Sequence, residues 1–364
     1  MNILIYYQNN YHTVFLESLA ESFISKGHKV YFYTICKEGI LHHKMASLGV
    51  NVFYSDNDYS SLYSIIGNTY RLIRFCQRNK IDVVFSHLQI ANLVALVAQF
   101  FIKTKIFPCR HHSDQVMLKR NKNAMRLDNL VNTLSKRIIV VSNAVKDQMT
   151  TFESVKDEKI EVISLGYNFD LYDKVSEVEV KRIKDQYPAN FYMIMIGRMV
   201  EEKGHLTAFE VCKKLVSKGY DVKLFVLDKG PLLEELKSWV SQNDLKDKII
   251  FTGFLNNAVN YIAASNILIH PSITEASNQV VKEAAIQNVP SVVCEGVGDF
   301  DEYIINEKTG LKVSKENAKD EMYEVMVRFY SNKENLINIG KQANLAVRAK
   351  FDIKIVSERY LNTI

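Results

Sequence analysis

The constraint that bears hardest on this chain is an alternation of short apolar runs with amphipathic stretches, and the alternation starts twice. In the first half "NILIYY" (2–7), "KVYFYT" (29–34), "VNVFY" (50–54), "IDVVFSH" (81–87), "KIFPCR" (105–110) and "RIIVVS" (137–142) read as strands. Their near-continuous apolar character implies burial on both faces, hence a parallel sheet covered by helices. Between the first two, "TVFLESLAESFISKG" (13–27) carries apolar residues at helical spacing and closes on Gly27. "IANLVALVAQFFI" (90–102) is too short to span a bilayer, contains Asn92 and Gln99, and reads as a buried helix. After a polar stretch at 168–190 the pattern restarts. "FYMIMIG" (191–197), "VKLFVLD" (222–228), "KIIFTG" (248–253), "NILIHPS" (266–272) and "VPSVVCE" (289–295) are the second set of strands, and "HLTAFEVCKKLVSKG" (205–219) is a helix. The tail from Met322 reads as helices only.

Two such runs predict an α/β chain of two Rossmann-like domains, with parallel sheets facing across a cleft. The expected boundaries are 1–170 and 171–349, with a last helix at about 350–364 packing back on the first domain. A length of 364 residues suits two cores. The five cysteines are scattered with no CxxC pair, which excludes a zinc ribbon or a disulfide framework and points to a reducing compartment. "MNILIYY" lacks the flank and apolar core of a signal peptide, so a cytoplasmic location is expected. A net charge of +5 is too modest for nucleic-acid binding. It fits a phosphorylated ligand or an anionic membrane surface.

The loops at strand ends carry the chemistry. In "IGRMVEEKGH" (196–205), Gly197 permits a tight exit from the strand, and Arg198 and Lys203 emerge around the next helix start. Free N–H groups and the helix dipole favour an anion there, and a guanidinium plus an ammonium suits a diphosphate. The plain alternative is a solvated Arg and Lys. Gly230 in "LDKGPLLEELK" is an ordinary residue for opening a helix, and also lets a ligand approach closely. Gly253 in "FTGF" leaves a strand whose following loop is placed to meet a base. In "HPSITEASNQVVKEAA", Ser277 or Asn278 can cap the helix "QVVKEAA". Glu275 then lies in the loop and Glu283 on the helix. Paired acceptors beside backbone donors suit a polyhydroxy ligand with a charged tail. A solvated Glu283 is the plain alternative, against which its alanine and valine neighbours argue. No His/Cys/Asp cluster indicates a metal.

"GRMVEEKG", "DKGP", "FTGF", "HPSITEASNQVVKEAA" and "VGDFDEYI", in this order and spacing, resemble the retaining GT-B glycosyltransferases of family four, the glycosyl transferases group 1. The likeness covers nearly all of the second domain. The first matches more loosely through "IDVVFSH", "RHHSD", "RIIVVSNAVKDQM" and "VISLGYNFDLY". The resemblance implies that Arg198 and Lys203 grip the donor diphosphate. It implies that Glu283 accepts the ribose hydroxyls and that Glu275 contacts a hydroxyl of the donor sugar. The N–H groups of Ala276, Ser277, Asn278 and later residues such as Val280 would support sugar and phosphate. His112 falls at the family's first-domain histidine, which approaches the donor sugar, and His111 is the alternate. Asn9, Asn10, His87 and Asp114 would lie on the acceptor side. The implied reaction is same-face transfer of a sugar from a nucleotide-diphosphate sugar to a glycan or lipid-linked acceptor. It needs no cofactor and no metal, and belongs to bacterial surface polysaccharide or lipopolysaccharide biosynthesis.

Two departures stand out. "YYQNNYHTV" (6–14) replaces the glycine pair that many members carry, and Asn9 and Asn10 are residues able to adopt left-handed angles. "EAS" also lacks the glycine common after the first acid. The segment 116–137 mixes Lys119, Arg120, Lys122 and Arg126 with Met117, Leu118, Met125 and Leu127, a pattern that fits an anionic membrane surface or a lipid-linked acceptor. Two rivals remain at this level. One is a nucleotide-sugar epimerase of the same fold, which would need first-domain acids, with Asp114 the one candidate beside the histidines. The other is a binding protein without turnover.

Overall fold

The computed structural model describes the chain except for His12 and residues 56–61, 115–117, 172–173 and 256–257. It forms two compact units: Met1–Leu171 with Phe351–Ile364, and Tyr172–Lys350.

Unit 1 holds a seven-stranded parallel sheet. Its strands are β1 (Asn2–Tyr7), β2 (Lys29–Thr34), β3 (Asn51–Tyr54), β4 (Val83–His87), β5 (Lys105–Arg110), β6 (Ile138–Val140) and β7 (Ile160–Val162), in the order β3-β2-β1-β4-β5-β6-β7. Every residue of β4 is buried, as a central strand covered on both faces requires. The chain direction across the sheet reverses between β1 and β4, the crevice where ligands of such sheets bind. The apolar run at 90–102 is helical over Gln89–Ala98, with 91–96 buried. The last helix, Ile353–Asn362, lies on helix Val14–Ser25. Ser22 Oγ donates to Ser357 Oγ at 2.7 Å, and the Tyr360 ring meets Phe85 edge-on at 5.1 Å.

Unit 2 holds β8 (Phe191–Ile196), β9 (Val222–Leu227), β10 (Ile249–Gly253), β11 (Ile267–His270), β12 (Ser291–Cys294) and β13 (Leu311–Val313), ordered β10-β9-β8-β11-β12-β13. Its reversal falls between β8 and β11. Sequence periodicity does not signal β7 or β13, because three residues at a sheet edge are too few to establish a pattern. The polar stretch at 168–190 contains the helix Glu177–Gln186, capped by Ser176. It buries only Ile183, so no apolar stripe announces it. Among the described residues no helix is long and apolar enough to cross a membrane.

Candidate functional site

The loops leaving β8, β9 and β11 are tied together by hydrogen bonds at the reversal point of unit 2. Met199 N–H donates to Lys229 O and Leu232 N–H to Met199 O, each at 3.1 Å. Ile273 N–H and Ser272 Oγ both donate to Glu202 O. Gly230 is needed for this joint: a Cβ there would stand 2.5 Å from Met199 O. Gly230 thus serves backbone packing at this joint. Gly253 sits at φ +74 where β10 ends. Beyond it Phe254 is exposed, with the Lys229 ammonium over its ring.

Within this frame Glu275 is buried and its Oε1 gathers three donors. Lys203 Nζ lies at 2.5 Å, His270 Nε2 at 2.7 Å and Asn278 Nδ2 at 3.0 Å. Burial pushes the carboxyl up, but the bonds and charges of His270 and Lys203 outweigh it and hold it at about 2. Gly298 lets the next loop close on it: at φ +56, a Cβ would fall 2.6 Å from Glu275 Cβ. A second knot lies alongside. The fully buried Lys282 ammonium donates to Asp299 Oδ2 at 2.6 Å, to Ser277 Oγ and to Asn278 O. Burial pulls Lys282 down, against the pull of Asp299. Asp299 also accepts Ser277 Oγ at 2.7 Å and the Asn278 N–H at 3.3 Å.

The structure thus brings Lys203, Glu275, Ser277 and Asn278 together and gives each a protein partner. Lys203, expected to grip a diphosphate, is neutralised here by Glu275. The Asn278 N–H, expected to face a ligand, is taken by Asp299. Asn278 rather than Ser277 caps helix Gln279–Ile286, accepting from Val281 N–H at 2.9 Å. Ala276 is buried, while Val280 on the first turn is half-buried. Arg198 behaves differently: it is exposed, and its guanidinium makes no hydrogen bond or ion pair among the described residues. Gly197 lies against the Lys203 stem at ordinary contact distance. Glu283 is half-buried and held by Gln279 Nε2 at 2.7 Å. His270, Lys282 and Asp299 escaped sequence reasoning. The available signal was a lysine on the otherwise apolar face of "QVVKEAA", which demands an acid.

In unit 1 the two histidines diverge. His111 Nε2 lies 2.8 Å from His87 Nδ1, and both rings face Phe15. Burial pulls His111 down to about 4 and takes His87 well below its usual value. His112 Nε2 instead meets Asp128 Oδ2 at 2.9 Å. Arg110 organises the surroundings: its Nη1 and Nη2 donate to the two oxygens of Glu153, each at 2.6 Å, and its Nε donates to His112 O at 3.1 Å. Asp128 and Glu153 correct the expectation that Asp114 is the one acid near the histidines. Asp114 itself is half-buried and accepts Ser113 Oγ. Neither Asn9 nor Asn10 adopts left-handed angles. Asn10 Nδ2 donates to Lys37 O at 3.1 Å and its side chain packs on Gly39, so it braces a neighbouring loop.

Among the described residues no group of three or more His, Cys, Asp and Glu side chains is placed to hold a metal ion. Two family models match: Glycosyltransferase Family 4 over residues 12–171 and Glycosyl transferases group 1 over residues 178–346. The chain is 22% identical over 315 residues to the capsular polysaccharide biosynthesis glycosyltransferase CapM of Staphylococcus aureus, covering 82% of this chain and 80% of that one. It is 24% identical over 250 residues to a Campylobacter jejuni protein, covering 67% of this chain and 66% of that one. That relative is named N-acetylgalactosamine-N,N'-diacetylbacillosaminyl-diphospho-undecaprenol 4-alpha-N-acetylgalactosaminyltransferase. The crystal structure of Anabaena HepE with UDP and glucose superposes with a TM-score of 0.84 at 17% identity, over 100% of this chain and 99% of that one. This likeness shows a shared fold, GT-B. With one model matching each half, the chain belongs to the group 1 glycosyltransferases of family four.

Proposed function

We propose that the protein transfers a hexose-type sugar, with retention, from a nucleotide-diphosphate sugar to a glycan or lipid-linked acceptor. One observation carries this: an exposed guanidinium, Arg198, at the carboxyl end of β8, close in sequence to the Lys203–Glu275 pair. Such a charge at a sheet's reversal point suits a diphosphate. In the reaction, the acceptor oxygen bonds to the anomeric carbon as its bond to phosphate breaks. The acceptor proton passes to an oxygen of the departing diphosphate. Arg198 neutralises the charge that grows there, and Lys203 joins it when the donor displaces it from Glu275. Glu283 reads the ribose, Glu275 a sugar hydroxyl, and His112 accepts from another. No resident metal or cofactor is called for.

The acceptor side follows from charge. Residues 62–127 hold eleven Lys and Arg against Asp82 and Asp114 alone, a local surplus larger than the chain's net +5. Lys119, Arg120, Lys122 and Arg126 are exposed beside exposed Leu118 and Met125, while Val116 and Met117 lie outside the described residues. Helix Leu62–Asn79 adds exposed Tyr63, Ile66, Tyr70, Arg71 and Arg74. Basic residues mixed with aromatics favour an anionic bilayer, where a lipid-linked acceptor would be found. The capsular polysaccharide in the name of CapM and the diphospho-undecaprenol in that of the Campylobacter relative support a surface-polysaccharide setting with a lipid-linked acceptor. Five free cysteines fit the cytoplasmic face.

A thermal-shift screen of nucleotide sugars, beginning with UDP-glucose, tests the donor reading. A ligand at a hundredfold its Kd adds about 2.7 kcal/mol. No stabilisation by any of them, or an undiminished shift in Arg198→Ala, would sink it. Donor hydrolysis without acceptor separates a transferase from a binding protein, and product sugar analysis separates it from an epimerase. Co-sedimentation with anionic vesicles at low salt tests the bilayer.

A further inference from the structure

We propose that Asp128 is the positioning residue of His112, holding its ring in the Nε2–H form so that Nδ1 presents a lone pair to a sugar hydroxyl. This rests on the reading above that His112 meets sugar, and it deepens that reading by naming the atom and what aims it.

The argument begins with the carboxylate. Asp128 is 5% exposed on helix Lys122–Leu134. Burial alone would favour its neutral form, but His112, Arg110 and Gln89 together draw it below its ordinary value. An ionised carboxylate only accepts. Gln89 Nε2 donates to Oδ1 at 2.8 Å, while Oδ2 faces His112 Nε2 at 2.9 Å and the Arg110 guanidinium at 3.8 Å. The proton in the His112 contact therefore sits on Nε2. In the neutral ring, the form we assign to His112, that leaves Nδ1 as the acceptor.

That nitrogen has no hydrogen bond among the described residues, and the side chain is 17% exposed. The backbone beneath it is fixed, since Arg110 Nε holds His112 O. Arg110 is itself clamped by Glu153, which also accepts Asn132 Nδ2 at 2.8 Å. His111 has its Nε2 on His87 and, among the described residues, no carboxylate to set its ring. Of the adjacent histidines, His112 is the one aimed by a carboxylate, at the carboxyl end of β5.

Long-range 15N–1H correlation of the histidine rings, with His112 assigned by His112→Gln, reads the tautomer in the free protein. The wild type should be Nε2–H, and Asp128→Asn should lose that fixed form. Hydrolysis of UDP-glucose, or of the nucleotide sugar selected by the thermal screen, supplies the second readout. Asp128→Asn should lower kcat/KM roughly three- to tenfold, the worth of one hydrogen bond. It should add nothing in a His112→Ala background. Asp128→Glu should restore the tautomer if Asp128→Asn is poorly folded. A wild-type proton on Nδ1, or an Asp128→Asn loss that persists in full without His112, overturns the proposal. Failure of the donor reading looks different: no nucleotide sugar is consumed by the wild type, whatever the tautomer.

Discussion

The ion clusters of the two units are built on opposite plans. In unit 2 a carboxylate is the hub: Glu275 gathers Lys203, His270 and Asn278 on one oxygen. In unit 1 a guanidinium is the hub, and Arg110 is clamped by Glu153 with Asp128 close by. The useful difference lies in what each leaves over. Unit 2 leaves a whole positive charge, Arg198, exposed at a strand end. Unit 1 leaves Nδ1 of His112 without a hydrogen bond among the described residues. The first can pair with an anion and the second can meet a hydroxyl.

The sharpest way to break this comparison is to remove the fixed cation of the knot beside the unit 2 hub and the hub cation of unit 1. Lys282→Ala strands buried Asp299, and Arg110→Ala strands half-buried Glu153 beside buried Asp128, each at a cost of about 3–5 kcal/mol by denaturant unfolding. A loss below about 1 kcal/mol in either would show that the pair is not what holds its loop. Next in size, Arg198→Ala should weaken binding of the nucleotide sugar selected by the thermal screen, in calorimetry, by about 1.5–3 kcal/mol, the worth of a charge-assisted hydrogen bond. Unfolding should barely move, because the side chain is exposed.

Acid should test both units in sequence. His111 and His205 titrate near 4 when folded, against 6.5 for the free side chain, mainly through burial. As pH falls through 6.5 the unfolded chain binds protons that the folded rings refuse, so stability declines between 6.5 and 4. Glu275 acts lower. Its stabilisation is whole above the model-peptide value of 4.5 and is lost as pH falls towards 2. His111→Gln should shrink the upper decline in unit 1 and leave that of unit 2 unchanged, read by hydrogen exchange; the part due to His87 stays. An unchanged profile would refute that assignment. Smallest of all, Asn278→Ala removes a helix cap, worth about 1 kcal/mol in the melting of unit 2.

Much of this architecture is legible in the sequence. Strands such as β1, β4 and β8 carry near-continuous apolar runs and announce a covered parallel sheet. The motifs also put Arg198, Lys203, Glu275 and Asn278 on the loops where the structure has them. What stays hidden is partnership. Asp128 lies 16 positions from His112 and Asp299 lies 17 from Lys282, and only the folded chain brings them together. In sequence each looks like a solvated surface charge. Lys203 is the instructive case: its position is readable, but its embrace by Glu275 is not, because the contact spans 72 residues.

The return of helix Ile353–Asn362 to unit 1 has a consequence for biogenesis. Residues 172–350 emerge from the ribosome before that helix does, and form their own sheet. Until then Phe15, Ser22 and Phe85 await the partners that Ser357 and Tyr360 supply. The first half of the polypeptide to be made is therefore the last to be completed, and a nascent chain arrested near residue 350 would hold a finished second half behind an unsealed first one.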